Sequence, residues 1–105
     1  MSERSRVVTE AVIEVAAYWG FGADDVNASR TPAQVDIRAI AQWMLRERYA
    51  FSYPELGALF GKNHATVIHN VKRIAHFVGR YDAGEDNRLG RIARSVLLGQ
   101  RMAAE

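Results

Sequence analysis

The stretch from Ser52 to Val78 reads SYPELGALFGKNHATVIHNVKRIAHFV, and its internal punctuation decides the fold. Ser52-Tyr53-Pro54-Glu55 matches the capping-box pattern, in which a hydroxyl and a carboxylate three residues on satisfy each other's backbone donors at a helix start. The segment it opens runs for only roughly nine residues before Phe60-Gly61 stops it. Asn63 then caps a further helix to about Val78, with Val67, Ile68, Val71, Ile74, Ala75 and Val78 predicted to face inward. A short helix, a glycine turn and a second helix make the layout of a helix-turn-helix.

Advancing about 100° per residue, Ala65, Thr66, His69, Lys72, Arg73 and His76 fall on the opposite face of that second helix. The face offers hydroxyl, imidazole and cationic groups and no acid, which suits the DNA major groove, where one helix fits between rows of phosphates. An ordinary solvated surface can also be cationic. Three features favour DNA: the compact turn, the short side chains at the helix start (Asn63, His64, Ala65 and Thr66), and the distribution of charge. The net charge is only +2, from 14 basic and 12 acidic residues. Residues 1–55 carry six basic and eight acidic side chains, and residues 82–105 carry four of each. Residues 56–81 carry Lys62, Lys72, Arg73 and Arg80 without an acid, so the positive excess coincides with the helix-turn-helix.

Working outward, apolar residues recur at steps of three and four almost throughout, and no alternating strand pattern is present. A first helix is predicted from about Arg6 to Trp19, with Val8, Val12, Val15 and Trp19 on one stripe, ending at Gly20-Phe21-Gly22. A short turn follows near Asp24 to Asn27. Thr31-Pro32 is a helix start, because threonine can cap and proline at the first position lacks a donor that has no use there. The helix it opens runs to about Tyr49 with Ile37, Ile40, Ala41, Met44 and Leu45 as its core set and Trp43 and Tyr49 at the flanks. After Gly79, Asp82 to Asn87 form a polar connection, and Arg88 to about Met102 form a last amphipathic helix carrying Leu89, Ile92, Val96 and Leu97. The expected fold is all-α, with five or six helices: a helix-turn-helix domain over residues 1–81, and a turn and helix over 82–105 that pack on it or extend it.

A chain of 105 residues with 49% hydrophobic and 25% charged side chains has the balance of one compact globular domain. Cysteine is absent, which removes disulfides, thiol nucleophiles and thiolate metal sites. No apolar run approaches a membrane span, so a cytoplasmic, nucleoid-associated location is expected.

The stretch from Ser52 to Ile74 resembles the C-terminal DNA-binding domain (domain IV) of the bacterial chromosomal replication initiator DnaA, in the Trp repressor-like helix-turn-helix superfamily. The resemblance is most specific at His64-Ala65-Thr66-Val67-Ile68-His69, and the helix order from about Val8 to Phe77 agrees with it. It implies base contacts from Asn63, His64, Ala65 and Thr66, a minor-groove arginine at Arg30, and backbone contacts from Arg46, Pro54, His69 and Arg73. Lys62 is added for its charge and its place in the turn. The chain departs from the family pattern in being one residue shorter between Phe60 and His64, and in having Asn63 for the usual aspartate and Ala65 for the usual threonine. Only one cation stands in Asn27 to Thr31, and Asp36 brings an acid nearby. A shifted base preference and a lower affinity than usual for the family are expected.

Other chemistry finds little support. Gly57 to Asn63 has three residues between its glycines where a phosphate loop needs four, and no hydroxyl follows the lysine. His64 and His69, five apart, point roughly 140° away from each other on a helix, and His69 and His76, seven apart, are roughly 10 Å apart along its axis, so neither pair chelates one ion. Ser52 and Ser95 have no inferable acid–histidine partners. Trp19, Trp43, Phe60 and Phe77 lie on or near apolar stripes and read as core. The chain is expected to be a non-enzymatic, stand-alone reader of double-stranded DNA at DnaA-box-like sites, without a cofactor, regulating replication initiation or transcription. Its rivals are an adaptor binding replication-initiation proteins and a repressor dimerising through the last helix.

Overall fold

The computed structural model describes residues 2–22 and 32–99, and among them the regular elements are five α-helices and one 3-10 turn, with no strand. Helix α1 spans Glu3–Ala16, starting earlier than the expected Arg6. The Ser2 hydroxyl accepts from the Ser5 N–H at 3.1 Å, and Glu3 places negative charge beside the exposed donors of the first turn. Val8, Val12 and Val15 are buried as predicted. The 3-10 turn Ala17–Trp19 follows, and Gly20, at φ 78°, turns the chain away in the left-handed conformation that glycine adopts without strain. The expected turn at Asp24–Asn27 and the cap at Thr31 lie outside the described residues.

Helix α2, Pro32–Tyr49, has the predicted bounds and is the centre of the domain, packed by α1, α4 and α5. Ile37, Ile40, Ala41 and Leu45 are 0% exposed. Trp43, expected at a flank, is also buried, because a helix covered by three neighbours buries more than one stripe. Gln42 is buried as well, and its Oε1 accepts from Asn70 Nδ2 of the fourth helix at 3.0 Å, which satisfies the amide oxygen.

The corner from α2 into α3 (Tyr53–Phe60) is tight. Ala50 sits at φ 58°, its N–H donating to the Arg46 carbonyl at 3.0 Å, and Phe51 is buried. The capping box forms in full: Ser52 N–H donates to Glu55 Oε1 at 2.9 Å, and Glu55 N–H to Ser52 Oγ at 3.1 Å. The donated Ser52 N–H holds the Glu55 carboxyl below the usual glutamate range; Arg4, paired with it at 2.9 Å, acts in the same direction against desolvation. Gly61, at φ 66°, ends α3 as predicted.

Helix α4 runs from His64 to Asp82, past the expected end at Val78. Gly79 does not stop it, and the break comes at Ala83-Gly84, with Gly84 at φ 107°. The extra turn carries Tyr81 under α5 (Arg88–Leu98), beside the Phe77 carbonyl that the preceding turn already places there. There Asn87 Nδ2 donates to the Phe77 carbonyl at 3.0 Å while its Oδ1 accepts from Gly90 N–H at 2.7 Å. Gly99, at φ 71°, ends α5 before the expected Met102. Ile92, Ala93 and Val96 are buried against the preceding helices, so the apolar stripe of α5 covers its own domain. Arg48 of α2 clamps that helix by donating to the carbonyls of Val96 and Leu97 at 2.6 and 3.0 Å. No helix among the described residues is long and apolar enough to cross a membrane.

Candidate nucleic-acid interface

The orientation of α4 is set by Val67, Val71, Ile74 and Val78, all buried. These occupy a sector of only about 60° on the helical wheel, narrower than predicted. Ile68, at the sector's edge, is half-buried, and Ala75, predicted to point inward, is exposed. Lys62, Asn63, His64, Ala65, Thr66, His69, Lys72 and His76 are all exposed. The sequence-predicted outer face is therefore presented to solvent, with Arg73 half-buried at its border.

The start of α4 is built by Asn63. Its Oδ1 accepts from the Ala65 N–H at 2.7 Å and the Thr66 N–H at 3.4 Å, satisfying donors that the first turn leaves without partners. That commits the carbonyl end of the amide to the helix and leaves the NH2 end as the group able to act outward. Asn63→Ala is expected to lower stability by about 1 kcal/mol and Asn63→Asp to hold it, because aspartate keeps the acceptor and adds favourable charge at the helix start. Thermal melts of the three proteins check this; coincident melts of Asn63→Ala and wild type would show that the cap contributes nothing.

The remaining predicted residues are differently placed. Pro54 is exposed in the first turn of α3. Arg46, predicted to meet the DNA backbone, donates through Nη1 to the Phe51 carbonyl at 2.9 Å and stacks over the Tyr53 ring at 3.9 Å. It thus fastens the α2–α3 corner whatever else its outer edge meets. Arg30 lies outside the described residues.

Charge that looked free along the sequence is partly paired in space. Arg73 meets Asp36 of α2 at 2.9 Å, with side chains 28% and 30% exposed, and Arg80 is paired with Glu85. Among the described residues Lys62 and Lys72 make no ion pair, so of the four cations in residues 56–81 the unpaired charge is carried by Lys62 in the turn and Lys72 further along α4. The arginines of α5 are likewise engaged: Arg88 stacks over Trp19 at 4.8 Å, Arg91 meets Asp86 at 3.0 Å, and Arg94 Nε donates to Asp82 at 3.0 Å. Sequence reasoning noted Asp36 as a nearby acid but missed its partner. It also missed Gly57, whose place inside an eight-residue helix was a signal that two backbones meet there.

Comparison with known proteins points the same way. The family model described as the bacterial dnaA protein helix-turn-helix matches residues 9–74, from within α1 to the middle of α4. The chromosomal replication initiator protein DnaA of Pelobacter propionicus is 38% identical over 78 residues, covering 70% of this chain and 17% of that protein. That of Cutibacterium acnes is 40% identical over 76 residues (70% and 15%), and that of Deinococcus radiodurans 32% over 74 (70% and 16%). The chain thus spans less than a fifth of the length of these relatives. With its helix-turn-helix, the exposed outer face of α4 and a match over more than half its length, the chain belongs to the bacterial DnaA helix-turn-helix family of DNA-binding domains.

Proposed function

We propose that this protein binds double-stranded DNA sequence-specifically, as a non-enzymatic module acting at DnaA-box-like sites and regulating replication initiation or transcription at the nucleoid. The observation that carries this reading is the start of α4, where His64, Ala65 and Thr66 are exposed on a capped helix beside a turn bearing Lys62. Imidazole, methyl and hydroxyl groups match the donors, acceptors and thymine methyls of major-groove base edges. Lys62 and Lys72 supply attraction for phosphate that carries no sequence information. The relatives are chromosomal replication initiator proteins, which supports sites of the replication-origin kind.

The test is a titration of labelled duplexes, one carrying an initiator-type box and one scrambled, at two salt concentrations. The boxed duplex is expected to bind more tightly, with both affinities falling steeply as salt rises. Equal, weak binding to the two at moderate salt would reject sequence-specific recognition and favour a protein-binding adaptor.

A further inference from the structure

Arg73 follows Thr66 by seven positions and His69 by four, so it lies on the stripe that continues the recognition face along α4. Its guanidinium is already occupied: Nη2 donates to Asp36 Oδ1 at 2.9 Å. Asp36 comes from the first half of α2, and the α2–α4 packing that brings it there is the same that pairs Gln42 with Asn70 further along. Both partners keep contact with water, with 28% and 30% of their side chains exposed. An anionic ligand arriving at the recognition face therefore finds Arg73 paired with a carboxylate at the position a phosphate oxygen takes in an arginine–phosphate contact.

We propose that Asp36 is an internal stand-in for a DNA phosphate: it occupies Arg73, cancels its charge beside the recognition face, and sets the affinity of the domain below what α4 alone supports. This inference rests on the DNA-binding reading above. A partly exposed ion pair is weak, so the carboxylate competes with phosphate rather than locking the arginine permanently. The pair has no net charge, so it adds nothing to counterion release, whereas Arg73 alone adds one phosphate's worth. Base readout at His64 and Thr66 is left untouched, and the effect is the same for every sequence.

The test uses the full chain as wild type, Asp36→Asn, Asp36→Asn/Arg73→Ala, and Asp86→Asn as a control that removes an acid paired on α5. Each is titrated with boxed and scrambled duplex across a salt series, after a melt that establishes folding. Asp36→Asn is expected to tighten both duplexes on the order of fivefold. Its plot of log affinity against log salt should steepen by about 0.9. The double variant should return to the wild-type slope, since a missing pair and an intact pair both sum to zero. Asp86→Asn should leave the slope alone. Weaker or unchanged binding by Asp36→Asn overturns the inference, as does a steep slope that survives loss of Arg73 or appears equally in Asp86→Asn. If the wild type separates boxed from scrambled duplex and Asp36→Asn does nothing, the masking role alone falls. If no variant binds duplex, the DNA-binding reading falls with it.

Discussion

Gly57→Ala is expected to destabilise the protein by about 1–3 kcal/mol, lowering the melting temperature by roughly 5–20 °C, and to weaken DNA binding with it. A Cβ at position 57 stands 2.7 Å from the Lys62 carbonyl oxygen, 3.3 Å from the His64 nitrogen and 3.5 Å from His64 Cα. All three are backbone atoms, so no side-chain rotation relieves the contact. The Gly57 carbonyl also accepts from the Lys62 N–H at 2.8 Å, so a shift that makes room breaks the bond closing the turn. The start of α4 moves with it, and with it the residues assigned to base edges. Gly79→Ala is the internal control, because a Cβ there meets nothing within 4 Å. Alanine is favoured over glycine in a helix by about 0.5–1 kcal/mol, so Gly79→Ala should hold or raise the melting temperature. If Gly57→Ala melts with wild type, the close approach in the turn is not a constraint on the fold.

The two glycines also show what was legible in the sequence. Signals carried by neighbouring residues were readable: the Ser52–Glu55 box, the proline start of α2, the stop at Gly61 and the cap at Asn63 all act within one turn of backbone. Gly79 was misread as a stop because glycine ends a helix only when the fold needs a left-handed residue there, and α4 instead continues past it to set Tyr81 against Gly90 and Asp82 against Arg94 of α5. Gly57 and Gly90 depend on which backbones cross. A Cβ at Gly90 would come 2.6 Å from the Phe77 carbonyl, a meeting between residues of two different helices. The pairing of Arg73 with Asp36 is of the same kind: the acid-free window is real along the chain, and the tertiary fold brings acids to it from outside. The exposed residues of the outer face of α4 were legible on a helical wheel, while the pairing of their charges was not.

Against that background, His64→Ala and Thr66→Ala are expected to cost about 1–3 kcal/mol on the preferred duplex and little on a scrambled one. Both side chains are exposed, and neither supplies the cap, whose acceptor belongs to Asn63, so the variants should melt with wild type. Lys62→Ala and Lys72→Ala should behave oppositely, weakening both duplexes alike and reducing the salt slope by roughly one each. Arg46→Ala is the less clean probe of phosphate contact, because it also removes the bond to the Phe51 carbonyl and the stack on Tyr53, and it is expected to lower the melting temperature as well. The measurement is one matrix of affinities, with two duplexes and two salt concentrations for each variant. If the histidine and threonine variants lose affinity for both duplexes in the same proportion as the lysine variants, the start of α4 carries charge and shape to the DNA without reading its bases.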